Sequence, residues 1–127
     1  LSIRAACAAR THPNDIRPII EISQKVGIPI EVMCFLGTSP IRLYSEGWDE
    51  ELLEERTRTA VSMSKEAGLP CTFVTEDTVR SHPKLLGRLF DEVGLDGMKD
   101  SSGAPERIRV LTGRWLCLVR SARVVVN

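Results

Sequence analysis

Short apolar runs alternate along this chain with longer stretches in which apolar residues recur every three or four positions. The short runs begin near positions 2, 28, 69, 95 and 116. Ser2 to Ala9, Ile28 to Leu36 and Leu69 to Val74 have the length and side chains of strands, the last two with β-branched or aromatic residues. Leu95 to Lys99 reads as a fourth strand, and Leu116 to Val119 with Val124 to Val126 as a fifth. Between them the spacing predicts helices. One opens at His12-Pro13 and closes at Gly27, with Ile16, Ile19, Ile20 and Val26 as its stripe. A second starts from Asp49, carries Glu50, Glu51, Glu54 and Glu55 where the helix dipole favours negative charge, and stops at Gly68. A third runs from His82-Pro83 to Gly94, and a fourth from Pro105 to about Gly113. Residues Ile41 to Gly47 read as a loop.

Strictly alternating strands and helices at this spacing predict parallel strands joined by right-handed crossovers. Two architectures fit: an open doubly wound sheet, or consecutive units of an eight-fold barrel. No strand-to-helix turn carries GxGxxG or GxxxxGK[ST], which weakens the nucleotide-binding sheet. Five strands do not close an ordinary barrel, so the barrel reading makes residues 1–127 a partial one, with 113–127 an unplaced tail. The first four strands turn polar at their carboxyl ends: Arg10 and Thr11; Thr38 and Ser39; Thr75, Glu76, Asp77 and Thr78; Lys99, Asp100 and Ser101. In a barrel these lie on one rim and suit an oxygen-rich anionic substrate. The alternatives are structural: a surface cation at Arg10, turn formation before Pro40 for Thr38 and Ser39, loop or capping carboxylates at Glu76 and Asp77, and a turn held by Asp100.

Composition changes this picture little. Seventeen basic residues balance seventeen acidic ones, which argues against nucleic acid or an anionic membrane as the main partner. No apolar run reaches the length of a membrane span, and no secretory leader is visible. Cys7, Cys34, Cys71 and Cys117 form no CxxC pair and read as small buried side chains in a reducing, cytoplasmic setting. Leu1 stands directly before an apolar run, so the chain is expected to begin within a longer protein.

The run EVMCFLGTSPIRLYSEGWDEELLEERTRTAV (31–61), followed by LPCTFVTEDTVRSHPKLL (69–86), resembles the barrel domain of the 2-isopropylmalate synthase and homocitrate synthase family. That family belongs with the 3-hydroxy-3-methylglutaryl-CoA lyases and the pyruvate carboxyltransferase domain. Residues 1 to about 90 carry the resemblance, and Lys99-Asp100-Ser101-Ser102-Gly103 is similar to the next strand end. It implies barrel strands three to six or seven of a cytoplasmic acyltransferase of leucine-type amino-acid biosynthesis. Such an enzyme condenses acetyl-CoA with a 2-oxo acid in a Claisen-type step, and is a homodimer when full-length. By the resemblance Glu76 is catalytic, and Thr38, Ser39 and Ser101 contact the substrate; Arg10 joins the substrate contacts from its place on the same rim. The family's divalent cation (Mg, Mn or Zn) takes its ligands from a D-R-E run and an H-x-H pair that this chain lacks, so no metal ligand is expected here.

Three alternatives stay open. The same barrel supports lyase chemistry of the 3-hydroxy-3-methylglutaryl-CoA type. Gly97 to Gly103 also resembles the lysine strand of the dihydrodipicolinate synthases, with Lys99 forming a Schiff base with pyruvate. Without metal ligands, the chain by itself could equally be an inactive fragment.

Overall fold

The computed structural model describes residues 4–91, 97–100 and 123–126; for the last two segments the backbone path and register are described. Five parallel strands, β1 (Ala5–Arg10), β2 (Ile30–Gly37), β3 (Cys71–Glu76), β4 (Gly97–Asp100) and β5 (Arg123–Val126), form one sheet in the order β1-β2-β3-β4-β5. The helices are α1 (Pro13–Val26), α2 (Pro40–Glu46), α3 (Glu50–Glu66) and α4 (Pro83–Asp91), with one 3₁₀ turn at Thr78–Arg80. This is a parallel α/β domain.

Each helix starts and stops for a local reason. His12 accepts the Asn14 N–H through its side chain at the head of α1, and Gly27 ends that helix at φ 67°, a conformation that glycine adopts without a side-chain clash. Asp49 Oδ1 accepts from Leu52 N at 2.8 Å and caps α3. The stretch expected to be a loop after β2 is instead the short helix α2, opened by Pro40 and closed by Gly47 at φ 64°. It escapes a periodicity test because none of its side chains is buried.

Strand order decides where the helices go. Right-handed crossovers between sequential neighbours place the described sheet-packing helices α1, α3 and α4 on one face of the sheet. Accordingly α3 contacts both α1 and α4, and the rings of Phe73 on β3 and Phe90 on α4 meet edge to face at 5.7 Å. Val32, Cys34 and Leu36 of β2 and Cys71 and Phe73 of β3 fill this interface with Ile16, Leu53, Leu86 and Leu89. The other face carries Ala8 and Arg10, Met33 and Phe35, and Val74 and Glu76, and no described helix lies on it. Register pairs Phe73 with Cys34 and Met98, whereas Phe35 pairs with Arg10 and Val74 on the opposite face.

Candidate functional site

A cavity of about 350 Å³ opens at the carboxyl ends of β1 and β2, the place where parallel α/β sheets ordinarily bind ligands. Arg10 and Thr11 reach it from the end of β1, and His12, Asn14 and Asp15 from the head of α1. Phe35, Leu36 and Gly37 contribute the end of β2. Arg42 comes from α2, Trp48 from the turn before α3, and Arg56 from α3 itself.

Three guanidinium groups thus face one cavity, and they are not equivalent. Arg10 grips Asp15 with two hydrogen bonds, Nε–Oδ2 at 2.6 Å and Nη2–Oδ1 at 3.0 Å. This pairing raises the Arg10 pKa and, chiefly through the hydrogen bond, lowers that of Asp15. Arg42 pairs with Glu46 at 3.0 Å and lies 3.5 Å from Glu76. Arg56 has no carboxylate partner among the described residues. Its guanidinium carbon instead sits 4.6 Å from the centroid of the Trp48 ring, with that of Arg42 at 5.9 Å.

Gly37 makes the Arg42 position possible. A Cβ there would meet Arg42 Nε at 2.8 Å, Arg42 Cγ at 2.9 Å and Glu76 Oε2 at 3.1 Å. The absence of a side chain lets Arg42 lie across the strand end toward Glu76.

Of the residues expected at a site, Arg10 lines the cavity. Glu76 stands beside Arg42 with its side chain about half exposed (51%) and does not line it. Thr38 and Ser39 are buried away from it. The Thr38 and Ser81 hydroxyls share a hydrogen bond of 2.6 Å, Ser81 Oγ donates to the Asp77 carbonyl, and Thr75 and Thr78 contact each other through their hydroxyls. This buried network clasps the end of β2 to the turn after β3. Ser39 Oγ is buried with no partner among the described residues. Asp77 caps neither helix by its side chain; it sits at φ 58° and turns the chain sharply after β3. Ser101 lies outside the described residues, as do the side chain of Lys99 and the expected helix at 105–113.

Trp48 and Arg56 carry no sequence signal as site residues. Arg56 is one charge among many in the run Glu50 to Arg58. Its place on the flank of the buried Leu53–Thr57–Ala60 stripe, facing Trp48, appears only once α3 is docked. No group of three or more His, Cys, Asp or Glu side chains that could hold a metal ion occurs among the described residues. His12 and His82 each accept a backbone N–H at the head of a helix. These side chains do not fit the divalent cation of the synthases, and no step is assigned to one.

Comparison with known proteins corrects the family expectation. No protein-family model matches the chain, and no curated protein matches it. Among solved structures, a protein of the universal stress protein family from Burkholderia pseudomallei is similar over 100% of this chain and 98% of its own, with 14% identity and a TM-score of 0.37. At that identity and score the likeness transfers nothing to this chain. Nothing found points to 2-isopropylmalate or homocitrate synthases, to 3-hydroxy-3-methylglutaryl-CoA lyases, to a Schiff base at Lys99, or to leucine biosynthesis. Those assignments are withdrawn. The short T-S-P-I-R and T-E-D-T strand ends that carried the resemblance are accounted for by local structure: a helix start at Pro40 and a hydroxyl clasp around Thr75 and Thr78.

Proposed function

We propose that this chain is a ligand-binding α/β unit whose cavity, at the carboxyl ends of β1 and β2, takes a small anion on Arg56. One observation carries the reading: Arg56 is a guanidinium at the wall of a cavity, stacked on Trp48, with no carboxylate partner among the described residues. Arg10 and Arg42 are already paired with Asp15, Glu46 and Glu76, so among the described residues the cavity guanidinium whose charge no carboxylate answers is that of Arg56. Stacking holds the plane of the guanidinium and leaves its N–H edges to meet an acceptor.

Sequential strand order with the described sheet-packing helices on one face also supports a finer fold reading. The sheet is a segment of a barrel-type wall, with this cavity on the rim that holds ligands in such folds. A reducing, cytoplasmic setting suits the thiols of exposed Cys7 and buried Cys34.

Trp48 is the built-in reporter. In a Trp115→Phe background, titration with small carboxylates and phosphates should change the Trp48 fluorescence saturably. Arg56→Ala should weaken that binding by about tenfold or more, the scale of a lost charge-assisted pair. Saturable binding that is indifferent to Arg56→Ala, or no saturable change at all, removes the proposal.

A further inference from the structure

Resting on that reading, we infer that the ligand is a monoanion with a compact apolar body, a single carboxylate rather than a phosphate ester. Three guanidiniums and one carboxylate, Asp15, line the cavity, and Glu46 and Glu76 attach to Arg42 from outside it. Arg10 is held in a two-bond grip by Asp15, and Arg42 is shared between two carboxylates. One guanidinium, that of Arg56, is left to face one negative charge. A phosphate monoester brings a charge of about −1.5 to −2 at neutral pH. Its second charge would face Asp15 and the Glu46–Glu76 side of Arg42 without a free cation to answer it.

Shape and lining point the same way. At about 350 Å³ the cavity is far larger than a bare anion, given that a water occupies about 30 Å³. Phe35, Leu36 and Trp48 supply the apolar part of the wall. Phe35 is 40% exposed although it lies in a central strand, so a ligand body can bury aromatic surface that the protein leaves open.

Calorimetric titration of the full chain at neutral pH with acetate, benzoate, phenyl phosphate and inorganic phosphate tests this. Benzoate should bind at least about tenfold tighter than acetate, reflecting burial of its ring, and tighter than either phosphate. Phe35→Ala should shrink the benzoate advantage while leaving acetate unchanged. Arg56→Ala and Arg56→Lys should both weaken benzoate, the second because an ammonium lacks the fork. If phenyl phosphate or inorganic phosphate binds as tightly as benzoate, or tighter, yet still depends on Arg56, the monocarboxylate inference is overturned and the anion site stands. If benzoate gains nothing over acetate, the apolar-body half of the inference is overturned. If none of the four shows Arg56-dependent binding, the anion site itself is wrong.

Discussion

Arg42 Nε stands 3.5 Å from Glu76 Oε2, an ion pair that joins the helix after β2 to the last residue of β3 across the backbone of Gly37. The two groups do not hydrogen-bond: Nε is buried and without a hydrogen-bond partner, so the contact is electrostatic alone. With side chains 38% and 51% exposed, such a pair adds little to stability. Its consequence is positional, because it sets where Arg42 enters the wall of the cavity. Gly37→Ala puts a methyl group 2.8 Å from Nε and 2.9 Å from Cγ and must displace the side chain. We expect benzoate affinity to fall a few-fold, because the displaced Arg42 reshapes the cavity wall beside Trp48, with a thermal midpoint close to the parent's. Calorimetry and a melt on the same preparation check both halves.

Thr38 should matter for stability and not for ligand. Its hydroxyl is 1% exposed and bonded to Ser81 Oγ, 43 residues away along the chain. Thr38→Val keeps the shape and leaves Ser81 with the Asp77 carbonyl. A loss of about 1–3 kcal/mol in denaturant unfolding is expected, with unchanged benzoate affinity. A variant that unfolds like the parent but binds worse would return Thr38 to the binding site.

The two central phenylalanines should separate cleanly. Phe73 is fully buried against Phe90, so Phe73→Ala should cost about 3–5 kcal/mol and threaten folding altogether. Phe73→Leu, which leaves a smaller void, keeps the comparison measurable. Phe35 lies on the other face and is partly exposed, so Phe35→Leu should change unfolding far less than Phe73→Leu. Equal losses would mean that both faces are covered alike.

Acid should weaken the Arg10–Asp15 contact. Hydrogen bonding to Arg10 holds the Asp15 carboxyl below its ordinary value in the folded chain. A carboxyl lowered on folding stabilises the fold above its unfolded pKa, about 3.9 for Asp, and loses that contribution as pH falls through the folded value. Melting curves of the parent and Asp15→Asn should therefore differ at neutral pH and converge in strong acid. The difference should be small, because the pair is open to solvent (69% and 26% exposed). A gap that persists or widens in acid contradicts the assignment.

Thiol chemistry should distinguish Cys7 from the inner pair. Cys34 and Cys71 are fully buried on neighbouring strands, with sulfurs 3.8 Å apart. The hydrogen bond to Cys71, and then burial, push the Cys34 thiol far above its ordinary range, so the reactive thiolate is disfavoured. Brief alkylation of the native protein, read by peptide mass spectrometry, should modify exposed Cys7 and spare Cys34 and Cys71 until denaturant is added. Early modification of the inner pair would show that the β2–β3 face opens readily.

The strand–helix rhythm was legible in the sequence because it is written in local chemistry. Asp49 caps α3 through a bond three residues away, His12 caps α1 through one two residues away, and Gly27 supplies the backbone conformation that ends α1. Neighbours along the chain suffice for such features, and they also imply parallel pairing and a polar rim. What the sequence could not determine depends on distance through space. Side chains of a strand alternate faces, so only the register of three strands assigns Phe73 to the helix layer and Phe35 to the cavity. Short α2 buries nothing and so left no periodic trace. Thr38 and Ser39 looked like ligand contacts because polar residues end a strand there, yet packing turned them inward, Thr38 to Ser81. Arg56 became distinctive only when the docking of α3 set it on Trp48 in a cavity where the other two guanidiniums already have partners. Whether a charge is answered by an opposite one depends on tertiary contacts, and no local pattern encodes them.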